Sequence, residues 1–364
     1  MLKNKKTIFI IILIVLAITL AGCGGRRIVA TGWSGINVSD ETVYFSYGPQ
    51  AYAVNLNNGS MKWAYPMEPV NGLDFYAAPV LTDDGSQLIV GSYKNEIFSL
   101  DPQSGVKNWS YTVISKDNTT VRFIASPLVA AGRIYAPASN NTLYALNLDG
   151  TLEWSFTTGD PLWSTPVYSE NCGCIYQTSM DHYLYTLDPE KGTLVWKSAD
   201  LGGPMVNPPA LSESGLIILS TFNNEVVALD EGTHQTEWTF KTEDWAWASP
   251  LIDGDQVYVS DISGDFYALD LTSGDLLWQL APGGGIYSSA LVVDDMVYFA
   301  TDSSSLVVVS RDGVVQRNQP IDGILYASPV AAGDILLLAP SESEFYLLAL
   351  NDSGVQLWGY PPPK

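Results

Sequence analysis

A tryptophan returns along this chain at a nearly constant interval, and that interval limits the fold more than any other feature. Aligned on it, Trp63, Trp109, Trp154, Trp196, Trp238, Trp278 and Trp358 leave one slot without tryptophan, held by Arg317, and the successive spacings are 46, 45, 42, 42, 40, 39 and 41 residues. Self-similarity at such a period marks a repeat architecture in which each repeat is one supersecondary unit. A second register keeps step with the first. A small residue, a proline and an aliphatic residue recur as Ala78-Pro79-Val80, Ser126-Pro127-Leu128, Thr165-Pro166-Val167, Pro208-Pro209-Ala210, Ser249-Pro250-Leu251 and Ser328-Pro329-Val330. Ser289-Ala290-Leu291 and Ser34-Gly35-Ile36 fill the two remaining slots without proline, which makes eight units.

Each unit reads as four short strands. In the sixth, Ser249 to Ile252, Gln256 to Ser260, Asp265 to Asp270 and Leu276 to Leu280 are separated by Asp253-Gly254-Asp255, Ser263-Gly264 and Thr272-Ser273-Gly274, all turn-forming residues. No segment keeps a helical period. Four antiparallel strands with apolar residues on both faces cannot bury themselves alone, whereas radial stacking covers both faces and leaves only short edges. The expected fold is therefore all-β, an eight-bladed β-propeller of four-stranded antiparallel blades spanning 33–360, with a short tail over 361–364.

The residue types suit that geometry. In Tyr267-Ala268-Leu269-Asp270 the alanine leaves room for a large neighbour, and the aspartate can accept backbone N–H groups of the next turn. Gly105, Gly192 and Gly274 precede the last strand of their units, where a positive φ is expected. The repeated tryptophans then plug the gaps between units, a structural role. The stretch from Ala268 to Trp278, with Ser99 to Trp109, Thr186 to Trp196 and Ala349 to Trp358, resembles the tryptophan-docking motif of the quinoprotein-type propellers, whose repeats are named for pyrroloquinoline quinone. That family includes quinoprotein alcohol dehydrogenases and an outer-membrane assembly lipoprotein. The resemblance covers essentially the whole chain after its leader. The departures are His234 in the glycine slot of the fifth unit, and Arg317 and Ala290 in the seventh.

The first residues give an address. Lys3, Lys5 and Lys6 precede an uncharged run from Thr7 to Gly22, which is short for a membrane span and has the layout of a secretory leader. It ends in Leu20-Ala21-Gly22-Cys23, which resembles a bacterial lipobox. The resemblance implies a signal peptide over 1–22, acylation of the Cys23 thiol, and a lipidated tether over 23–32 whose Arg26 and Arg27 lie near the headgroups. The other reading is an uncleaved anchor with an incidental cysteine. Gly24, in place of aspartate, implies the outer membrane in a two-membrane envelope and the cell surface otherwise.

The net charge of −22 becomes −25 once the three leader lysines are removed. Such a surface repels phosphate backbones, so nucleic acid is not an expected partner. Cys172 and Cys174 flank Gly173 at a hairpin turn. They are either small turn residues or a disulfide, which export permits and which would be strained across one residue.

The dehydrogenases in the family bind pyrroloquinoline quinone and a metal, usually calcium, in the central funnel. Their long insertions, adjacent cysteine pair and calcium-binding set have no counterpart here. No catalytic residue, metal site or cofactor is therefore expected, with quinone plus calcium in a small-ligand or redox protein as the alternative. His182 and His234 are 52 residues apart and form no metal pair, and His182 falls in a hairpin turn. No hydrolase elbow or phosphate loop occurs.

One pattern is not demanded by the fold. Three residues before the proline slot stand Tyr76, Trp163, Trp247, Tyr287 and Tyr326, with Trp33 one position later in the first unit and Ile124 and Val206 in the other two. Starting the innermost strands, these rings should gather at one mouth of the channel, near Asp74, Asp160, Asp244 and Asp322. They either hold an extended peptide, a glycan or a flat ligand, or pack together and plug the channel. The expected function is that of a lipid-anchored, extracytoplasmic, non-enzymatic scaffold for an envelope or outer-membrane protein, as the resemblance implies.

Overall fold

The computed structural model describes residues 35–115 and 119–361; Cys23, Trp33 and residues 362–364 of the tail lie outside the described residues. Eight sheets succeed one another, each with four consecutive strands paired antiparallel in chain order. The blades span 36–65, 80–112, 128–157, 167–197, 210–241, 251–280, 291–320 and 330–360. Among the described residues there is no helix, so none is long and apolar enough to cross a membrane.

Hydrophobicity sorts the strands by radius. The second and third strands of each blade are almost wholly buried, as in Gln256–Ser260 and Phe266–Asp270, while the fourth alternates toward solvent, as in Leu276–Leu280. The expected strands of the sixth blade stand with three corrections, one being that the first strand runs on through Asp253, which pairs with Gln256. That strand begins at Leu251 rather than Ser249, because Pro250 has no N–H to donate to a ladder. The third strand begins at Phe266, because Asp265 is held in the turn by its N–H bond to Asp261 Oδ1.

Docking of each tryptophan is built from three parts. Opposite it on the third strand sits a small residue: Ala53, Ser99, Ala145, Thr186, Ala228, Ala268 or Ala349. In every blade the register then shifts by one residue, a bulge that increases twist at that point. The indole finally lies on the third turn of the next blade, and six of the seven donate their N–H to a carbonyl there. Trp63 bonds Pro102 O at 2.9 Å, Trp154 Pro189 O at 3.0 Å, Trp238 Leu271 O at 3.0 Å and Trp278 Arg311 O at 2.7 Å. Beneath Trp238 is Gly274, with φ +73°, where a Cβ would come within 2.6 Å of the ring. His234 takes this backbone conformation without being glycine (φ 61°) and stacks on Trp196 with centroids 4.1 Å apart.

The ring closes by the same device. Trp358 of blade eight donates to Leu56 O of blade one at 2.8 Å and covers Gly59. Val43, Phe45, Tyr52 and Val54 share a core with Leu337, Leu347, Ala349 and Trp358, and Tyr47 stacks on Tyr346 at 3.9 Å. Among the described residues each blade keeps its own four strands, so closure exchanges none. At the one junction without tryptophan, Arg317 Nη1 donates to Asp352 O at 2.9 Å, the carbonyl an indole would have used, and Val308 stands opposite in place of a small residue.

Candidate functional site

In an antiparallel meander, the connections between blades emerge at the same end of the ring as the turns between second and third strands. Each connection is extended, so its side chains alternate in direction. Phe75, Phe123, Leu162, Met205, Ala246, Ile286 and Leu325 are buried between blades. The next residue in each case points the other way, and these are the positions of Tyr76, Ile124, Trp163, Val206, Trp247, Tyr287 and Tyr326. All five described aromatic members are half-buried, and they lie in the connections, a few residues ahead of the innermost strands rather than within them.

Side chains at this end fix the backbone. Asp261, fully buried, accepts at Oδ2 from Glu243 N (3.1 Å), Asp244 N (3.3 Å) and Tyr267 Oη (2.9 Å), and at Oδ1 from Ser263 N and Asp265 N, both 3.1 Å. That ties the approach to Trp247 onto blade six. Neighbouring connections bond to one another: Gly35 N donates to Tyr76 O at 3.2 Å, Ser289 N to Ser328 Oγ at 2.9 Å, and Asn207 Nδ2 to Trp247 O. The rim is thus a rigid support for its aromatic rings.

The structure brings three of the expected residues together and leaves two apart. Trp247 meets Tyr287 edge-on at 5.8 Å, and Tyr287 meets Tyr326 at 5.4 Å. Two residues outside the aligned slot extend this run. Phe222, in the second-to-third strand turn of blade five, stacks on Trp247 at 4.8 Å and on Trp245 at 5.0 Å, and Trp245 is 43% exposed. The result is a continuous aromatic arc from blade five to blade eight. Tyr76 pairs instead with Tyr93 at 4.8 Å, and Trp163 stands by itself with no aromatic partner among the described residues.

Carboxylates border the arc, though not all those expected. Burial raises the Tyr287 phenol above its ordinary value, and Asp302, Tyr326 and Asp244 add to the shift; burial, Asp302 and Glu342 do the same for Tyr326. Both phenols therefore remain neutral hydrogen-bond donors. Among the described residues Asp244, Asp302 and Glu342 enter no ion pair. Asp322 instead clamps a turn by accepting from Ser343 Oγ (2.9 Å) and Glu344 N (3.1 Å), and Asp160 is exposed. Phe222 had a sequence signal, since Tyr93, Met180 and Ile262 occupy the matching turn position.

Elsewhere, His182 takes its turn at φ 74° with Nδ1 3.3 Å from Asp200 Oδ1 at the surface. Cys172 and Cys174 are joined as a disulfide, with Cα atoms 5.2 Å apart. Among the described residues no three His, Cys, Asp or Glu side chains gather so as to hold a metal ion.

Eight four-stranded blades docked by tryptophan define a quinoprotein-type propeller. Within that class, the chain belongs to the family of the outer membrane protein assembly factor BamB, which it matches over residues 27–123, 49–170 and 180–358. It is 23% identical over 316 residues to BamB of Moranella endobia, covering 80% of each chain, and 24% identical over 321 residues to BamB of Yersinia pestis, covering 81% of this chain and 78% of that one. Of solved structures, BamB from Moraxella catarrhalis superimposes with a TM-score of 0.71 at 15% identity, over 86% of this chain and 92% of that one. Quinohemoprotein alcohol dehydrogenase from Comamonas testosteroni also gives 0.71, at 12% identity, over 84% and 69%. These structural likenesses establish a shared fold and nothing about chemistry.

Proposed function

We propose that this chain is a protein-binding scaffold of outer-membrane protein assembly, anchored outside the cytoplasm by a lipid on Cys23, and that its occupied surface is the aromatic arc. The family supports the process. The observation that supports the site is the unbroken arc Trp245, Phe222, Trp247, Tyr287, Tyr326 on a hydrogen-bonded rim. Large rings that are half-buried and already held in place lose little freedom on binding, and such residues dominate binding energy at interfaces. Neutral phenols and bordering carboxylates offer hydrogen bonds to the backbone of an extended polypeptide. In this reading the protein is not an enzyme and holds no quinone.

The test is a gentle detergent pull-down of the lipoprotein from its own envelope, with mass spectrometry and an absorbance scan of one eluate. A β-barrel assembly protein in a colourless eluate agrees with the scaffold. A quinone-like chromophore with stoichiometric calcium and no protein partner contradicts it. Trp247→Ala with Tyr326→Ala should abolish the partner while leaving the thermal transition near its wild-type temperature. A transition at much lower temperature would mean that the rings are a structural plug.

A further inference from the structure

At the opposite end of the ring, three departures from the repeat meet between blades four and five. Blade four carries Cys172-Gly173-Cys174 in the turn between its first and second strands. Blade five carries Glu231 and His234 in its third turn, where blade six has Leu271 and Gly274. Glu231 reaches across the junction. Its Oε1 accepts from Ser169 Oγ and from Tyr176 Oη (3.2 Å), and its Oε2 accepts from Asn171 Nδ2 at 3.0 Å. Cys172, Cys174, Tyr176, Glu231 and His234 line one cavity of about 300 Å³.

The two sulfur-bearing residues differ in setting. Cys172 lies in an exposed turn, whereas Cys174 opens the second strand and is 4% exposed. A bridge across a single residue closes a small ring, and strained or exposed bridges are the labile ones. Glu231 pins both ends of the turn from the neighbouring blade, so the two cysteines stay close when the bridge opens. Tyr176 Oη lies 3.8 Å from Cys172 Sγ.

We propose that the Cys172–Cys174 bridge is a thiol–disulfide exchange site that oxidises a pair of partner thiols entering this cavity. The partner's first thiolate attacks the exposed Cys172 Sγ. A bond forms between those sulfurs, the Cys172–Cys174 bond breaks, and its electron pair leaves on Cys174 Sγ, which takes up a proton. The partner's second thiolate attacks the partner sulfur of the mixed disulfide, and Cys172 departs as thiolate beside the Tyr176 hydroxyl and takes up a proton from water. Two electrons pass to the cysteine pair, the two protons shed by the partner thiols as they ionise are balanced by the two taken up at Cys174 and Cys172, and the partner leaves as a disulfide. Tyr176 and Glu231 are positioning residues. The site lies away from the aromatic arc and does not depend on it.

The experiment incubates the full chain with reduced glutathione, quenches by alkylation and maps each cysteine by mass spectrometry, with tryptophan fluorescence reporting the fold. The bridge should open while the protein stays folded, with the glutathione adduct on Cys172. Glutathione disulfide should load Cys174→Ser at Cys172 and should load Cys172→Ser at Cys174 about tenfold more slowly or worse. A bridge that stays closed in excess reduced glutathione, or opens only as the protein unfolds, overturns the proposal. So does equal loading of the two variants.

Discussion

Trp358→Ala tests how the ring is held shut. The side chain is 8% exposed, its N–H bonds Leu56 O at 2.8 Å, and its ring covers Gly59 in a blade about 300 residues away. Truncating a buried tryptophan costs about 3–5 kcal/mol, and leaving the Leu56 carbonyl without its donor adds about 1 kcal/mol. Trp238 has the same exposure and the same kind of bond, at 3.0 Å to Leu271 O, so Trp238→Ala should cost a similar amount globally. The two variants differ in where the ring can open. Blades five and six remain joined by the chain from Lys241 to Leu251, whereas among the described residues no covalent link joins blade eight to blade one. Loss of Trp358 should therefore let blades one and eight part in local openings that Trp238→Ala does not allow. Urea denaturation gives the global cost, and amide exchange coupled to mass spectrometry gives the location. Protection should fall over 36–65 and 330–360 in Trp358→Ala alone. Equal exchange patterns in the two variants, or a cost below ~1 kcal/mol for Trp358→Ala, would refute the reasoning.

Three more outcomes are expected from the same geometry. Gly274→Ala should cost more than about 2 kcal/mol, because the new Cβ meets the Trp238 ring at 2.6 Å and the backbone is at φ +73°, while His234→Gly, which trades a stack for relief at φ 61°, should stay within about 1 kcal/mol of wild type by urea denaturation. Arg317→Ala should cost about 1–2 kcal/mol in the same assay, less than any docking tryptophan, because it removes the bond to Asp352 O but buries no ring. Acid should weaken the fold through its turns. Asp84 is drawn down to about 2, first by the Thr82 hydroxyl and then by Ser86, and Asp101, Asp188, Asp230 and Asp270 are lowered by the Ser104 hydroxyl, the Lys191 amide, the Thr233 hydroxyl and the Ser273 amide respectively. Carboxylates depressed in the folded state stabilise it above their unfolded value near 4 and lose that contribution as pH falls through their folded values. The urea midpoint should therefore drop between about pH 4 and pH 2.

The fold was legible because its governing contact repeats. Each tryptophan marks one junction, so the spacing of seven tryptophans and Arg317 carried the blade count, and Trp358 had to dock on blade one for the ring to close. Asp270 was legible as a turn cap, and its Oδ1 accepts from Thr272 N at 3.0 Å and Ser273 N at 2.8 Å. The site was legible only in part. The slot before the proline could be aligned, but which rings would touch depends on distances across blade boundaries that no local period encodes. Phe222 and Trp245 belong to different registers of the repeat and become neighbours only when the connection from blade five folds back over its own turn. Asp261 looked like one of many acidic residues, and its burial comes from the donors that converge on it. For Cys172 and Cys174 the spacing allowed a bridge but favoured plain turn residues, and the fold joins the two as a disulfide in one hairpin.

The central claim is that the aromatic arc is where a polypeptide binds. Its most direct measurement is site-specific photo-crosslinking in intact cells, with a photoreactive amino acid at position 326 on the arc and, as control, at position 353, in the exposed third turn of blade eight at the opposite end of the ring. Binding at the arc predicts a crosslink from position 326 to an outer-membrane assembly protein or its β-barrel substrate, weakened by Trp247→Ala, and none from position 353. Crosslinks from position 353 with none from position 326, in a protein that is folded and lipidated, would contradict it.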